Sequence, residues 1–291
     1  MNRHETVGLC GVGAELRVST ALLHHGEEPC LSGPDSENGG SGTIFFSGCA
    51  LRCVFCQNHH ISMPQTPEGL GQALSVDDLT ALMLELKLSG AHNINLVTPS
   101  QFTPLVRQAI IQAKANGLSL PVVWNSGGYE SVETLRTLDG LVDIYLPDLK
   151  YMDARAAARY AAAPGYPEIV QAAIAEMHRQ VGTLRLGDQG LAERGLLIRL
   201  LVLPGNAGRT DLALKWIAST LGADTFVSLM GQFYPAHRAA GEFPEINRAV
   251  TQAEYDAVLE RLEWLGLTSG YVQEVGSRPA WTPDFLRAPA P

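Results

Sequence analysis

Ser47-Gly48-Cys49-Ala50-Leu51-Arg52-Cys53-Val54-Phe55-Cys56-Gln57-Asn58 sets three cysteines within eight residues, directly after the apolar run that starts at Thr43. The run reads as a strand, and the C-x3-C-x2-C loop at its end lets three thiolates converge on one face of a compact cofactor. An iron-sulfur cluster ordinarily takes four cysteines, so three from one loop leave one iron open to a substrate or a nonprotein ligand. Zinc is the rival, because His59 or His60 can complete a Cys3His set. Structural zinc is expected from paired knuckles, which favours the cluster; three unligated thiols are the bland reading. The other two cysteines, Cys10 and Cys30, stand apart. An odd count of five in a chain this long is no disulfide framework, and free thiols are expected at both.

Outward from the loop, short aliphatic runs alternate with longer helical patterns. The strand candidates are 43–47, 93–98, 121–125, 141–146, 196–203, 225–230 and 270–274. Ser75-Val-Asp-Asp78 opens one helix with a hydroxyl before an acidic turn, and Gly90 stops it. Further helices are expected over 102–116, 153–163, 167–181, 211–221 and 251–265, several of them ending at glycine. Six or seven strands alternating with helices imply parallel βαβ units, hence an α/β fold. That number is too few for a closed eight-fold barrel and suits an open, partial one, with its chemistry at the C-terminal ends of the strands. Residues 1–42, rich in glycine and turn formers, read as an irregular N-terminal extension, 43–275 as the barrel, and 276–291 as a C-terminal tail.

The 291 residues are 46% hydrophobic and 18% charged, enough for a large core and against disorder. Lys plus Arg number 21 and Asp plus Glu 30, a net charge of −9 with no long basic run, so nonspecific nucleic-acid binding is not expected. The longest apolar stretch, 195–204, is interrupted by Arg199 and falls short of the roughly 20 residues that span a bilayer. No apolar signal segment opens the chain, and a cytoplasmic protein is the default expectation.

The cysteine loop resembles that of the radical S-adenosylmethionine enzymes, which carry C-x3-C-x2-C after the first strand of a partial (β/α)6 barrel. The stretch from Gly42 to Asn58 with Ile61-Ser62 is similar to the pyruvate formate-lyase activating enzyme-related branch. So are Asn93-Ile-Asn-Leu-Val-Thr-Pro99, Asn125-Ser-Gly-Gly-Tyr-Glu130, Val142-Asp-Ile-Tyr-Leu-Pro-Asp-Leu-Lys150 and Arg199-Leu-Leu-Val-Leu-Pro-Gly205. The resemblance implies a [4Fe-4S] cluster on Cys49, Cys53 and Cys56, with S-adenosylmethionine chelating the fourth iron. One-electron reduction, from a low-potential donor such as flavodoxin or ferredoxin, then releases a 5′-deoxyadenosyl radical that abstracts hydrogen. In activating enzymes that hydrogen comes from a glycine α-carbon of a glycyl-radical protein.

The remaining candidates sit at strand ends. Many relatives have Gly-Gly-Glu after the second strand, where it meets the methionine amino group; here Val97-Thr98-Pro99-Ser100 stands instead. Thr98 can accept the same bonds, or simply start a helix. Asn125 and Ser126, followed by two glycines, face the cofactor by similarity, or form a plain turn. Asp148 and Lys150, two apart on an extended chain, can both face the mouth. By resemblance Lys150 meets the cofactor carboxylate; a local Asp–Lys pair is the alternative. His237, in Tyr234-Pro-Ala-His237, matches the place of a cofactor-contacting histidine although its neighbours differ. Arg199 is either a mouth residue or a buried ion-pair member, and His59 and His60 are ordinary loop residues. The expected function is an activating enzyme for a glycyl-radical protein, favoured by a mouth with no obvious lid. Radical modification of a small molecule or peptide is the alternative in catalysis, and a noncatalytic iron-sulfur or zinc scaffold the alternative outside it.

Overall fold

Short aliphatic runs become central strands when both of their faces find something apolar to cover them. A computed structural model describes residue 8 and residues 10–33, 39–64 and 71–276. Among these residues one sheet contains β1 (Arg17–His24), β2 (Gly40–Phe46), β3 (Gln72–Ala73), β4 (Ala91–Val97), β5 (Val122–Ser126), β6 (Ile144–Pro147), β7 (Arg185–Leu186), β8 (Ala192–Leu201), β9 (Phe226–Met230) and β10 (Gly270–Val272). The order is β10-β9-β8-β6-β5-β4-β2-β1-β3, with β7 added on β8. From β2 through β10 the neighbours β2, β4, β5, β6, β8, β9 and β10 are parallel; β1, β3 and β7 pair antiparallel. The seven parallel strands fall on the seven runs read from the sequence. The fold is α/β, a partial barrel with an open edge.

The connecting helices are α1 (Pro29–Ser32), α2 (His59–Ser62), α3 (Val76–Leu88), α4 (Thr103–Ala115), α5 (Val132–Arg136), α6 (Ala154–Ala161), α7 (Tyr166–Val181), α8 (Thr210–Thr220), α9 (Ala239–Glu242) and α10 (Gln252–Trp264). Their ends obey local chemistry. Ser75 and Asp78 form a reciprocal capping box on α3, as do Thr251 and Glu254 on α10. Period-two alternation then divides each strand between two environments. On β4, Ile94 and Leu96 join Met83 of α3 and Val106 and Ile110 of α4 in the outer core. Asn93 and Asn95, also fully buried, point the other way, into the barrel.

The N-terminal extension is more regular than its glycine-rich text suggests. β1 pairs antiparallel with β2 and carries the sheet past its first parallel strand. Beyond it, residues 25–33 form a strap. Its Cys30 and Leu31 pack among Val123, Ile144, Leu146 and Leu197, and Asn93 Nδ2 donates to the Leu31 carbonyl at 2.8 Å. Ile144 opens β6, Val123 is second on β5 and Asn93 third on β4, so the strap fills the barrel from its N-terminal end and leaves the C-terminal end for the site. Cys10 and Cys30 are both buried free thiols. Of the expected tail only Gly276 is described; 277–291 lie outside the described residues, as do 1–7, 9 and 34–38 of the extension. No helix among the described residues is long and apolar enough to cross a membrane.

Candidate functional site

The cysteine loop leaves β2 through Gly48, whose φ of +83° turns the chain sharply over the strand end. Gln101 fixes this exit: the two hydrogens of its Nε2 are shared among the carbonyls of Ser47 (2.8 Å), Gly48 (2.9 Å) and Thr98 (2.7 Å). Cys49 N donates to the Cys10 carbonyl, while Arg52 N and Val54 N donate to Ala161 and Tyr160 at the end of α6. Cys56 Sγ lies 3.1 Å from Ser62 Oγ. Anchored on both flanks, the loop turns Cys49, Cys53 and Cys56 toward one cavity of about 260 Å³ at the C-terminal ends of the strands. Burial pushes the Cys49 thiol up to about 11, and Cys53 and Cys56 also upward, against the pull of nearby Lys150. Such thiols stay protonated in neutral water and give up their protons on metal binding.

Across from the thiols, β5, β6 and β8 supply a charged floor. Lys150 Nζ is 2.6 Å from Asp148 Oδ2. Arg199 spreads its guanidinium over three partners: Nε to Asp148 Oδ1 at 2.8 Å, Nη2 to Asn125 Oδ1 at 2.6 Å, and Nη1 to Glu27 Oε2 at 3.4 Å. Burial alone would raise the Asp148 carboxyl, but Arg199 and Lys150 hold it below the ordinary carboxylate value. Tyr166 Oη accepts from Lys150 N at 3.0 Å and faces the carbonyls of Gly127 (2.9 Å) and Asp148 (2.8 Å), one of which takes its proton.

A second, uncharged-facing brace holds the rim. Glu130, buried, receives Ser100 Oγ (2.6 Å), Trp124 Nε1 (2.7 Å) and Ser126 Oγ (2.7 Å). The Ser126 hydroxyl proton is thus committed to Glu130. Thr98 has φ +58°, a left-handed conformation rare for a β-branched residue. Its N–H donates to the Asn125 carbonyl at 2.8 Å, and Gln101 takes its carbonyl. Strain of this kind persists where the surroundings over-determine it, and it recurs at ligand sites.

Cys49, Cys53, Cys56, Thr98, Asn125, Ser126, Asp148 and Lys150 all line the one cavity, together with Arg199. His237 is not among its lining residues. Its ring stacks on His59 with centroids 4.5 Å apart, and the His60 ring lies against His59 at a tilt of 37°. Of the stretch named for His237, Tyr234 lines the cavity, together with Gln232 and Phe233 just before it. Arg199 lines the cavity and is also an ion-pair member, held by Asp148 and Glu27. Gln101, Glu130, Tyr166 and Glu27 were not singled out. Glu130 lies inside a quoted motif, whereas Glu27 carries no local signal.

The donor set fits an iron-sulfur cluster: three thiols on one loop share a cavity wall, and no fourth cysteine lines it. Among the described residues no three His, Cys, Asp or Glu side chains come close enough to hold a single metal ion. A cubane asks less of them, since it takes its thiolates at three separate irons. The paired Lys150 and Asp148 present opposite charges, which suits the zwitterionic head of an amino acid such as the methionyl part of S-adenosylmethionine.

No protein-family model matches the chain. Its structure resembles a radical SAM methyltransferase from Sphaerobacter thermophilus, with a TM-score of 0.53 and 17% identity over 80% of this chain and 66% of that one. It also resembles HydG, a maturase of the [FeFe]-hydrogenase, with a TM-score of 0.50 and 13% identity over 77% of this chain; the chain spans about half (49%) of the length of HydG. At these identities the likeness is one of fold, a radical SAM barrel. In sequence the chain is 30% identical over 276 residues to the uncharacterized protein MJ0674 of Methanocaldococcus jannaschii, covering 90% of this chain and 71% of the other. The chain therefore belongs to the family of MJ0674, built on the fold of the radical S-adenosylmethionine enzymes.

Proposed function

We propose that the chain is a radical S-adenosylmethionine enzyme of the pyruvate formate-lyase activating enzyme-related branch, acting on a glycine α-carbon of a partner protein. The observation that carries this reading is the placement of Cys49, Cys53 and Cys56 on one cavity with the Lys150–Asp148 pair. The motif resemblance supports the branch and, through it, the protein substrate.

With a [4Fe-4S] cluster and S-adenosylmethionine bound, one-electron reduction supplies a 5′-deoxyadenosyl radical, an abstractor of hydrogen atoms. Cys49, Cys53 and Cys56 would hold the cluster. Lys150 attracts the methionyl carboxylate, and Asp148 balances the adjoining ammonium. Asn125 and Thr98 border the same space, and Leu51, Phe55, Leu201, Met230 and Phe233 give it an apolar wall that excludes water from a reactive radical. A flavodoxin or ferredoxin in a reducing cytosol is the matching electron donor.

The test is anaerobic reconstitution followed by reduction with S-adenosylmethionine present. Four irons and four sulfides per chain, and formation of 5′-deoxyadenosine and methionine, are expected. A candidate glycyl-radical protein should then acquire an organic radical signal in electron paramagnetic resonance, split by the remaining α-hydrogen. Stoichiometric zinc without iron in anaerobically purified protein would reject the cluster. Deoxyadenosine formation stimulated only by a small metabolite or peptide would replace the activating role with that substrate class.

A further inference from the structure

We infer that Glu27, carried by the N-terminal strap, is a positioning residue that locks Arg199 and, through it, the Asp148–Lys150 pair at the cavity floor; the inference rests on the functional reading above. The strap follows β1 and includes α1, and its path is fixed. Ser32 Oγ accepts from Glu27 N at 3.1 Å, and Cys30 and Leu31 are buried in the barrel. Glu27 is thereby brought 3.4 Å from Arg199 Nη1, across 172 residues of sequence.

The geometry assigns each Arg199 nitrogen a different element: Nε the residue after β6, Nη2 β5, and Nη1 the strap. A guanidinium held on three sides has one orientation, because its donors form a rigid fork. In that orientation it occupies only Asp148 Oδ1, which leaves Oδ2 for Lys150. Without the strap carboxylate, Arg199 retains one anionic hydrogen-bond partner, Asp148, and bidentate pairing is then the stronger arrangement. That pairing would draw Oδ2 from Lys150 and displace the ammonium that faces the ligand. Neighbouring Glu28 acts on Arg199 electrostatically, more strongly than Glu27 does, but the hydrogen bonds of Arg199 go to Asp148, Asn125 and Glu27, so Glu27 supplies the strap's direct contact.

The test is Glu27→Gln in the full chain, anaerobically reconstituted and in its oxidised state. Two readouts are taken. The Arg199 Nε–H resonance, identified by its loss in Arg199→Lys, should exchange with solvent at least tenfold faster in Glu27→Gln, while backbone amides of β8 keep their rates. The dissociation constant for S-adenosylmethionine should rise at least tenfold with iron and sulfide per chain unchanged. An Arg199 exchange rate that does not move, or an affinity within twofold of the native chain, overturns the inference. Should the native chain bind no S-adenosylmethionine, the functional reading falls, and the hold of Glu27 on Arg199 stands or falls on the exchange rate.

Discussion

Lys150 and Asp148 are joined at 2.6 Å on the side of the cavity facing the three cysteines, and the other Asp148 oxygen is already taken by Arg199. Asp148 therefore holds two cations apart and aims one of them. Burial alone would lower the Lys150 ammonium, but the Asp148 carboxylate beside it holds it above its ordinary value, so it is a fixed positive charge at neutral pH.

Replacing that charge tests the ligand directly. Lys150→Ala should weaken S-adenosylmethionine binding by about 1.5–3 kcal/mol, the range for a charge-assisted hydrogen bond. Calorimetric titration of the reconstituted chain measures it. Unchanged affinity would remove Lys150 from the cofactor site and leave the cluster assignment standing.

Arg199→Met should act on the fold as well. It leaves two carboxylates, Glu27 and Asp148, and the Asn125 carbonyl oxygen without their shared donor in the barrel interior. Breaking a buried pair in this way costs about 3–5 kcal/mol. Denaturant unfolding at neutral pH provides the check, and a loss below about 1 kcal/mol would mean that the interior is wetter than its packing shows.

The parts of this molecule legible in sequence are those governed by neighbours. Seven strands announced themselves as aliphatic runs, and Ser75 with Asp78 marked a helix start, because alternation and capping act over a few residues. The three cysteines and the Asp148–Lys150 spacing were legible for the same reason. The strap was not. Glu27 and Glu28 carry no local signal, glutamate being a residue that is usually solvated, and their burial is decided by Arg199 and the open end of a barrel built from later strands. β1 was missed because Arg17-Val-Ser-Thr-Ala-Leu-Leu-His24 alternates weakly; it is a half-buried antiparallel addition, not a central strand. His237 was drawn in by position along the chain, whereas the turn after Tyr234 carries its ring to His59.

Gly48→Ala should disturb the cysteine loop more than the fold. At φ +83° an added methyl would meet the Cys10 carbonyl oxygen at 2.7 Å and Val12 at 2.8 Å. The strain is about 1–3 kcal/mol, and moving Gly48 moves Cys49. Iron per reconstituted chain should fall while far-ultraviolet circular dichroism stays native. Gly13→Ala, which meets nothing within 4 Å, is the control. Equal iron in both variants would show that the loop tolerates displacement.

Glu176 offers a pH test remote from the site. Hydrogen bonds from Arg179, assisted by Gln180, pull its carboxyl from 4.5 down to about 2. A carboxylate depressed on folding adds stability above its unfolded value, and that stability is lost as pH falls from about 4.5 toward 2. Arg179 is 56% exposed, so solvent screening trims the effect. Glu176→Gln should cost about 1–2 kcal/mol at pH 7, and the difference from the native chain should close as the pH approaches 2. Unfolding at several pH values reads the slope; a difference independent of pH would deny the charged interaction.

Thr98 separates strain from function in one substitution. Its left-handed backbone is held by the Asn125 carbonyl on one side and Gln101 on the other. Both bonds use main-chain atoms and survive loss of the side chain. Thr98→Gly should therefore relieve the steric cost of a β-branched residue at φ +58°, against the entropy glycine adds to the unfolded chain. The net change in stability should stay within about 1 kcal/mol of zero. Binding should respond differently. If the Thr98 side chain meets the methionyl head from its place on the cavity wall, S-adenosylmethionine affinity should drop by about 0.5–1.5 kcal/mol, the worth of one neutral hydrogen bond. Thermal unfolding and equilibrium binding on the same preparation give both numbers. A stable variant with native affinity would assign Thr98 to the turn alone, and a variant that unfolds readily would show that the side chain, not the two main-chain bonds, sustains the conformation.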